Sequence, residues 1–361
     1  MKPAVIAGAR PNFVKVGPLL KALRRAGIDP KLVHTGQHYD EAMSASFFRD
    51  LDIQPPDANL GVGSGSHAQQ TAAVMESFDT WLNEHPEIDT VIVVGDVNST
   101  LACTLVGVKR GLPVAHVEAG LRSGDRTMPE EINRILVDSV ADWLLTPSPD
   151  ADQNLIAEGA NPSRIRRVGN IMVDSLFDAR ARRPEVTTID KLGLRGSKYG
   201  LMTLHRAALV DDAEKLGGVI RAMNTLSETL PMVFPVHPRT AQMMNSAGLR
   251  PAPGLRLTEP LSYLDFVACQ TEASIVLTDS GGVQEETTCL GVPCLTLRES
   301  TERPVTVTEG TNEVVGVNPA RALERALARL SEPVVQRRPE LWDGRTADRV
   351  VAALATRPTF A

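Results

Sequence analysis

Short apolar runs alternate with longer amphipathic stretches along nearly the whole chain. AVIAG, KLVHTG, TVIVVGD, PVAHVE and WLLTPS have the length and composition of strands. Between them, PNFVKVGPLLKALRRAG, the HAQQTAAVMESFDTWL region, STLACTLVGVKRG and EEINRILVDSVAD repeat apolar residues at helical spacing. The series then restarts. YGLMTL, PMVFPV, LRLTEP, SIVLTD and PCLTL read as strands, separated by helical stretches such as DDAEKLGGVIRAMNTLSETL and LSYLDFVACQ. Alternation of strand and helix predicts parallel sheets covered on both faces. Two series predict two doubly wound α/β domains, meeting near the polar stretch RRPEVTTIDKLGLRGSK. A chain of 361 residues fits two cores of about 170 residues each. It has no short-period repeat and no low-complexity segment.

Composition narrows the function classes. With 42% hydrophobic and 23% charged residues and a net charge of -6, the chain reads as an ordinary globular protein without affinity for nucleic acid or an anionic membrane. No apolar run approaches a membrane span, and MKPAVIAGARP lacks a signal-peptide layout. Cys103, Cys269, Cys289 and Cys294 sit in apolar contexts without a CxxC pair, as expected of buried thiols in a reducing compartment. The expectation is a cytoplasmic protein.

In open parallel sheets ligands bind beyond the carboxyl ends of strands. Polar groups collect at that position here: GAR, TGQH, GDVNST and HVEAGLRS in the first half, then HR, HPR and DSGG in the second. Ser280 can cap a helix begun by Gly281 and Gly282, whose amides and dipole suit an anion such as a diphosphate; a plain strand-to-helix turn is the alternative. Glu285 and Glu286 follow, one able to accept from ribose hydroxyls, the other to complement the dipole. Arg303 of TERP reads either as a phosphate partner or as a surface residue. Arg10 and Lys15 flank a turn where both can reach a phosphate. That turn has Gly8 but no GxGxxG, so no nicotinamide cradle is expected.

Carboxylates form a further group: Asp96, Glu118, Glu130 and Glu131, with Arg134 one turn beyond Glu130. Gathered in one cleft they would raise one another's pKa values and serve acid–base chemistry, although each also has a structural reading as a strand-end or helix-start acid. His205 and His237 end strand-like runs and can bond a phosphate or protonate a leaving oxygen. Without an HxxxH or HxH companion they do not make a metal site.

Taken in order, GARPNFVK, TGQHYDEAM, VVGDVNST, HVEAGLRS, MPEEINR, the HR after LMTL, PVHPRT, PLSYLDF and TDSGGVQEETTCLGVPCLTLRESTERP resemble the non-hydrolysing UDP-N-acetylglucosamine 2-epimerases over nearly the whole chain. The resemblance implies a GT-B architecture. An N-terminal Rossmann-like domain over 1–175 would carry the acids and a C-terminal one over 176–342 would bind UDP, with a central cleft between them. A C-terminal helix within 343–361 would pack back on the first domain. It also implies a homodimer that uses neither metal nor cofactor and acts on a UDP-sugar. By the same resemblance Asp96, Glu118, Glu130 and His205 are catalytic. Phe266 lies by the uracil, Glu286 on the ribose, and Ser280, Gly281 and Gly282 on the diphosphate with help from Arg10. Lys15, Gln37, Arg134, His237 and Arg303 complete the substrate-binding set. The hydrolysing branch, a GT-B glycosyltransferase and an inactive UDP-sugar binder remain alternatives.

The chain departs from that pattern in places. Gly8-Ala9-Arg10-Pro11-Asn12 stands for Gly-Thr-Arg-Pro-Glu, and His205-Arg206-Ala207-Ala208-Leu209 for His-Arg-Arg-Glu-Asn. Val305 follows TERP where Glu is frequent, and SHAQQT lacks an arginine. The last-named arginine and the His-Arg-Arg-Glu-Asn stretch hold an activating second UDP-sugar in many bacterial members, so such activation is expected to be weak or absent.

Overall fold

The structure is a computed structural model that describes residues 1–36, 48, 51–182, 188–333 and 337–356. The chain divides into two compact units, Met1–Phe177 with the segment from Glu340 onward, and Asp178–Pro339.

In the first unit the described strands form one wholly parallel sheet in the order β3-β2-β1-β4-β5-β6-β7. They are β1 (Pro3–Ala7), β2 (Lys31–His34), β3 (Ala58–Asn59), β4 (Thr90–Val94), β5 (Val114–Val117), β6 (Trp143–Thr146) and β7 (Ile165–Arg167). β1, β4, β5 and β6 are buried throughout, because helices cover both faces, and that is why they read as continuous apolar runs. Edge strands β3 and β7 have no such signature. Two or three residues long and partly exposed, they have nothing apolar to announce them.

The segment from Glu340 belongs to this unit through buried contacts. Trp342 is 1% exposed, and its indole N–H donates to the Pro147 carbonyl at 2.9 Å. Asp174 accepts from the Thr346 and Ala347 amides at 3.1 and 2.8 Å. It thereby caps the helix Thr346–Leu354 from a distant helix, since Arg345 at the N-cap makes no side-chain cap bond.

The second unit has its own parallel sheet, β10-β9-β8-β11-β12-β13. Its strands are β8 (Gly200–Thr203), β9 (Met232–Pro235), β10 (Leu255–Thr258), β11 (Ile275–Thr278), β12 (Cys294–Thr296) and β13 (Asn312–Val314). Alternate strand residues enter different cores. Met202, Phe234 and Leu277 join one cluster, while Leu201, Val233 and Val276 join another, which is period-two packing on the two faces of a sheet. The α/β class with two Rossmann-like parallel sheets is therefore present as expected. β13, another short edge strand, carries no apolar run to reveal it.

Candidate functional site

Both strand orders reverse at one place. In the first sheet β1 neighbours both β2 and β4, and in the second β8 neighbours both β9 and β11. Such switch points leave a crevice beyond the strand ends. The loops there are Gly8–Ala9 with Gly95–Asp96 in one unit, and His205–Arg206 with Asp279–Ser280 in the other.

At the first switch point the helix Arg10–Arg25 is anchored by Asn12. Its carbonyl oxygen accepts from the Gly8 and Ala9 amides at 3.1 and 2.9 Å, and its amide nitrogen donates to Val94 O at 3.0 Å. Asn thus does what the carboxylate of a Glu cannot, since one end donates. Lys15, expected to reach a phosphate, is paired with Glu118 in a nearly dry setting, side chains 12% and 4% exposed. The other oxygen of Glu118 has no hydrogen-bond partner among the described residues. Glu118 also has φ of 73°, a left-handed conformation costing a non-glycine residue about 1–2 kcal/mol. Gly95, with φ of 74°, lies under this pair. A Cβ there would stand 3.2 Å from Lys15 Nζ and 3.5 Å from Glu118 Oε2.

Asp96 is ion-paired with buried Arg134, whose guanidinium also holds Glu131. Glu131 accepts in turn from the Ser123 and Gly124 amides at 3.0 and 2.8 Å. Burial works against its charge, yet these amides and Arg134 keep the carboxyl below its ordinary range. The helix Pro129–Val140 thus turns Glu131 and Arg134 inward, whereas half-buried Glu130 has no ion pair among the described residues. Arg134, expected beside Glu130, pairs with Glu131 and Asp96 instead. Asp96 and Glu118 each meet a cation. Arg10 starts its helix, but its side chain and the whole of Gln37 lie outside the described residues.

At the second switch point Asp279 is the organiser. Fully buried, it accepts from the His205 and Arg206 amides at 2.9 and 2.8 Å and faces His205 Nδ1 at 3.1 Å. Against the penalty of burial, these bonds hold its carboxyl below the usual range. His205 is nearly half exposed, with Asp279 facing one of its ring nitrogens. Ser280 stands at the N-cap of the helix Gly281–Leu290, but its side chain makes no cap bond. That corrects the expectation that it closes the helix. A Cβ on Gly281 would come 2.6 Å from Arg303 Nη1, so glycine is needed there for the arginine's sake. Arg303 is not a surface residue. Buried under that helix end, it pairs with Glu285 at 2.6 Å and with Glu302. Arg298 binds Glu302 at 2.8 Å, and Glu302, despite burial, is held far below the carboxylate range by these two arginines. Arg206 Nε and Arg298 Nη1 keep donors without a partner among the described residues.

Glu286 is 4% exposed. Burial pushes its carboxyl up to about 7, despite bonds from Gln270 and Tyr263, the former at 2.7 Å. Half-buried Phe266 packs on the second core cluster of this unit. His237 caps the helix Pro238–Ser246, its Nδ1 accepting from the Arg239 amide at 3.3 Å. Burial lowers its pKa, with the charges of His205 and Arg239 adding to the shift.

The family model described as UDP-N-acetylglucosamine 2-epimerase matches residues 21–355. The UDP-N-acetylglucosamine 2-epimerase of Methanocaldococcus jannaschii is 38% identical, covering 98% of this chain and 99% of its own. The chain belongs to the UDP-N-acetylglucosamine 2-epimerase family. The crystal structure of the M. jannaschii enzyme in complex with UDP-GlcNAc and UDP superposes with a TM-score of 0.90 at 37% identity, covering 98% and 99% of the two chains. A UDP-2,3-diacetamido-2,3-dideoxy-D-glucuronate 2-epimerase of Pseudomonas aeruginosa is 39% identical over 98% of this chain and 99% of its own.

For this epimerase-family chain, sequence reasoning missed Asp279, His116, Asp138 and Arg298, and it counted Glu131 among the acids without pairing it to Arg134. Asp279 stood in DSGG, and a strand-end acid before a Ser-Gly-Gly turn was a usable signal. His116 was visible as a polar residue inside the apolar run PVAHVE. Arg298 had none. Leu209, in the altered HRAAL stretch, is 2% exposed within the second unit's core, which accounts for that apolar residue. No group of three or more His, Cys, Asp or Glu side chains among the described residues is placed to hold a metal. Nor is any described helix long and apolar enough to cross a membrane.

Proposed function

We propose that this chain interconverts UDP-N-acetylglucosamine and UDP-N-acetylmannosamine without hydrolysis. The hydrogen on the carbon bearing the acetamide is barely acidic, so direct deprotonation is prohibitively slow. When the anomeric C–O bond breaks and its electron pair leaves with UDP, positive charge builds on C1 and the C2 proton becomes labile. Transfer of that proton to a base gives a 2-acetamidoglucal. Re-addition of UDP with protonation from the opposite face gives the epimer. The protein must retain the departed UDP, stabilise its charge and offer acids on both faces.

In this reading Ser280, Gly281 and Gly282 hold the diphosphate, with Arg10, Gln37, Arg303 and His237 contributing. Glu286 reads the ribose and Phe266 packs by the uracil. Asp96 is the base, with Arg134 holding its carboxylate in place. Glu118, set by Lys15, and Glu130 carry protons on the other face. His205, aimed by Asp279, eases UDP departure. Neither a metal nor a nicotinamide takes part, and the working form is a cytoplasmic homodimer. What carries the reading is the family match together with the pairing at each switch point: acids with their own cations in one unit, and an uncapped helix N-terminus beside an aspartate-held histidine in the other.

Incubation with UDP-N-acetylglucosamine in deuterated buffer, followed by proton NMR, tests it. UDP-N-acetylmannosamine at equilibrium with deuterium at C2 is expected. Free N-acetylmannosamine would instead establish the hydrolysing branch, and binding without change a sensor. The P. aeruginosa relative motivates a parallel assay with UDP-2,3-diacetamido-2,3-dideoxy-D-glucuronate, where faster turnover would move the substrate to a modified sugar. Reverse turnover is expected without a lag. A requirement for traces of UDP-N-acetylglucosamine would show that activation is retained.

A further inference from the structure

We infer that His116, backed by Asp138, is a positioning residue for the reaction: it fixes the Gly95 carbonyl and thereby the backbone that presents Asp96. This rests on the reading of Asp96 as the base.

His116 lies inside β5 and is fully buried. A polar ring at the centre of a dry parallel strand costs stability unless both nitrogens are satisfied. Both are. Nδ1 faces Asp138 Oδ1 at 2.6 Å and Nε2 faces Gly95 O at 2.9 Å. Each neighbour is an acceptor, so both ring nitrogens must donate. The second oxygen of Asp138 accepts from the Gly120 amide at 3.0 Å and from Arg122 at 2.8 Å. One histidine therefore ties the loop after β4 to the loop after β5 through the helix Pro129–Val140.

That helix also holds Asp96 itself. Asn133 donates to the Asp96 carbonyl at 2.8 Å, and Arg134 pairs with its carboxylate. Gly95 donates to Val117 O at 3.1 Å, and Lys15 and Glu118 close over its Cα. The peptide before Asp96 thus has one orientation, and His116 is the group that holds its oxygen. Release of that oxygen would let Asp96 move relative to Arg134, and a displacement near 1 Å costs about 100-fold in rate.

His116→Gln should lower kcat about 100-fold while KM and UDP affinity stay within about twofold. In that variant the new amide oxygen confronts the Asp138 carboxylate. Adding Asp138→Asn supplies an amide donor to that oxygen and should recover about tenfold of the loss. In the unaltered protein a nitrogen-15 spectrum of the His116 ring should show both nitrogens protonated. The inference falls if kcat drops only in proportion to the folded fraction, if the second substitution recovers nothing, or if one ring nitrogen is bare. The product assay on the unaltered protein judges the epimerase reading separately: no turnover sinks that reading, whereas turnover that survives His116→Gln sinks this inference alone.

Discussion

The two switch points solve opposite electrostatic problems. At the first switch point charges meet opposite ones, Lys15 with Glu118, Arg134 with Asp96 and Glu131, and Arg122 with Asp138, while one Glu118 oxygen keeps no hydrogen bond among the described residues. In the second, polar capacity is left over. Ser280 does not cap its helix, and among the described residues Arg206 and Arg298 keep unspent donors and buried Glu286 meets no cation. Matched charges are rigid and need no ligand, as a proton-transfer apparatus should be. On the proposed reading, a bound UDP would complete these donors. On the proposed reading, the first unit serves the chemistry and the second the capture.

Breaking the first half of that contrast should cost most. Asp96→Asn removes the proposed base and leaves Arg134 half unpaired; turnover should fall about 1,000-fold with UDP affinity intact, read by C2 deuterium exchange and by calorimetry. Persistent exchange would end the assignment.

The second half can be sharpened by pH. Glu286 is raised to about 7 and Asp174 to about 6, burial being the leading cause for both. A carboxyl raised on folding stabilises the fold fully below its unfolded pKa, and that stabilisation is lost as pH rises through the folded value. Stability should therefore decline between about pH 4.5 and 7, by up to about 3 kcal/mol from Glu286. Glu286→Gln should flatten the decline in urea titrations at pH 5 and 8 and weaken UDP binding. Gly281→Ala comes next. Its methyl would press on an Arg303 already locked by two carboxylates, for a cost of about 2 kcal/mol and weaker UDP binding; an unchanged Tm would show that Arg303 yields freely. The smallest effect is expected for Asn12→Asp, which loses the bond to Val94 O and adds a charge near Glu118. About 1 kcal/mol is expected by denaturant midpoint, with UDP affinity untouched.

Much of the fold was legible because its signals are local. Buried strands β1, β4, β5, β6, β8, β9 and β11 announced themselves as apolar runs, while β3, β7 and β13 did not, being short edges with partly exposed residues. Site legibility stopped at a similar limit. HVEAGLRS and DSGG follow strand ends, as their sequence implied, but nothing in MPEEINR shows that Glu131 rather than Glu130 turns toward Arg134. That choice depends on how the helix is rotated against the sheet.

The sequence by itself determined the two sheets, the polar loops at their strand ends and the short list of groups available for chemistry, since periodicity, glycine and proline act within a few residues. Only the tertiary structure decided which charge meets which. Lys15 finds Glu118 across 103 residues and Arg134 finds Asp96 across 38. An ion pair depends on distance in space and on dryness, and neither exists until the chain has packed.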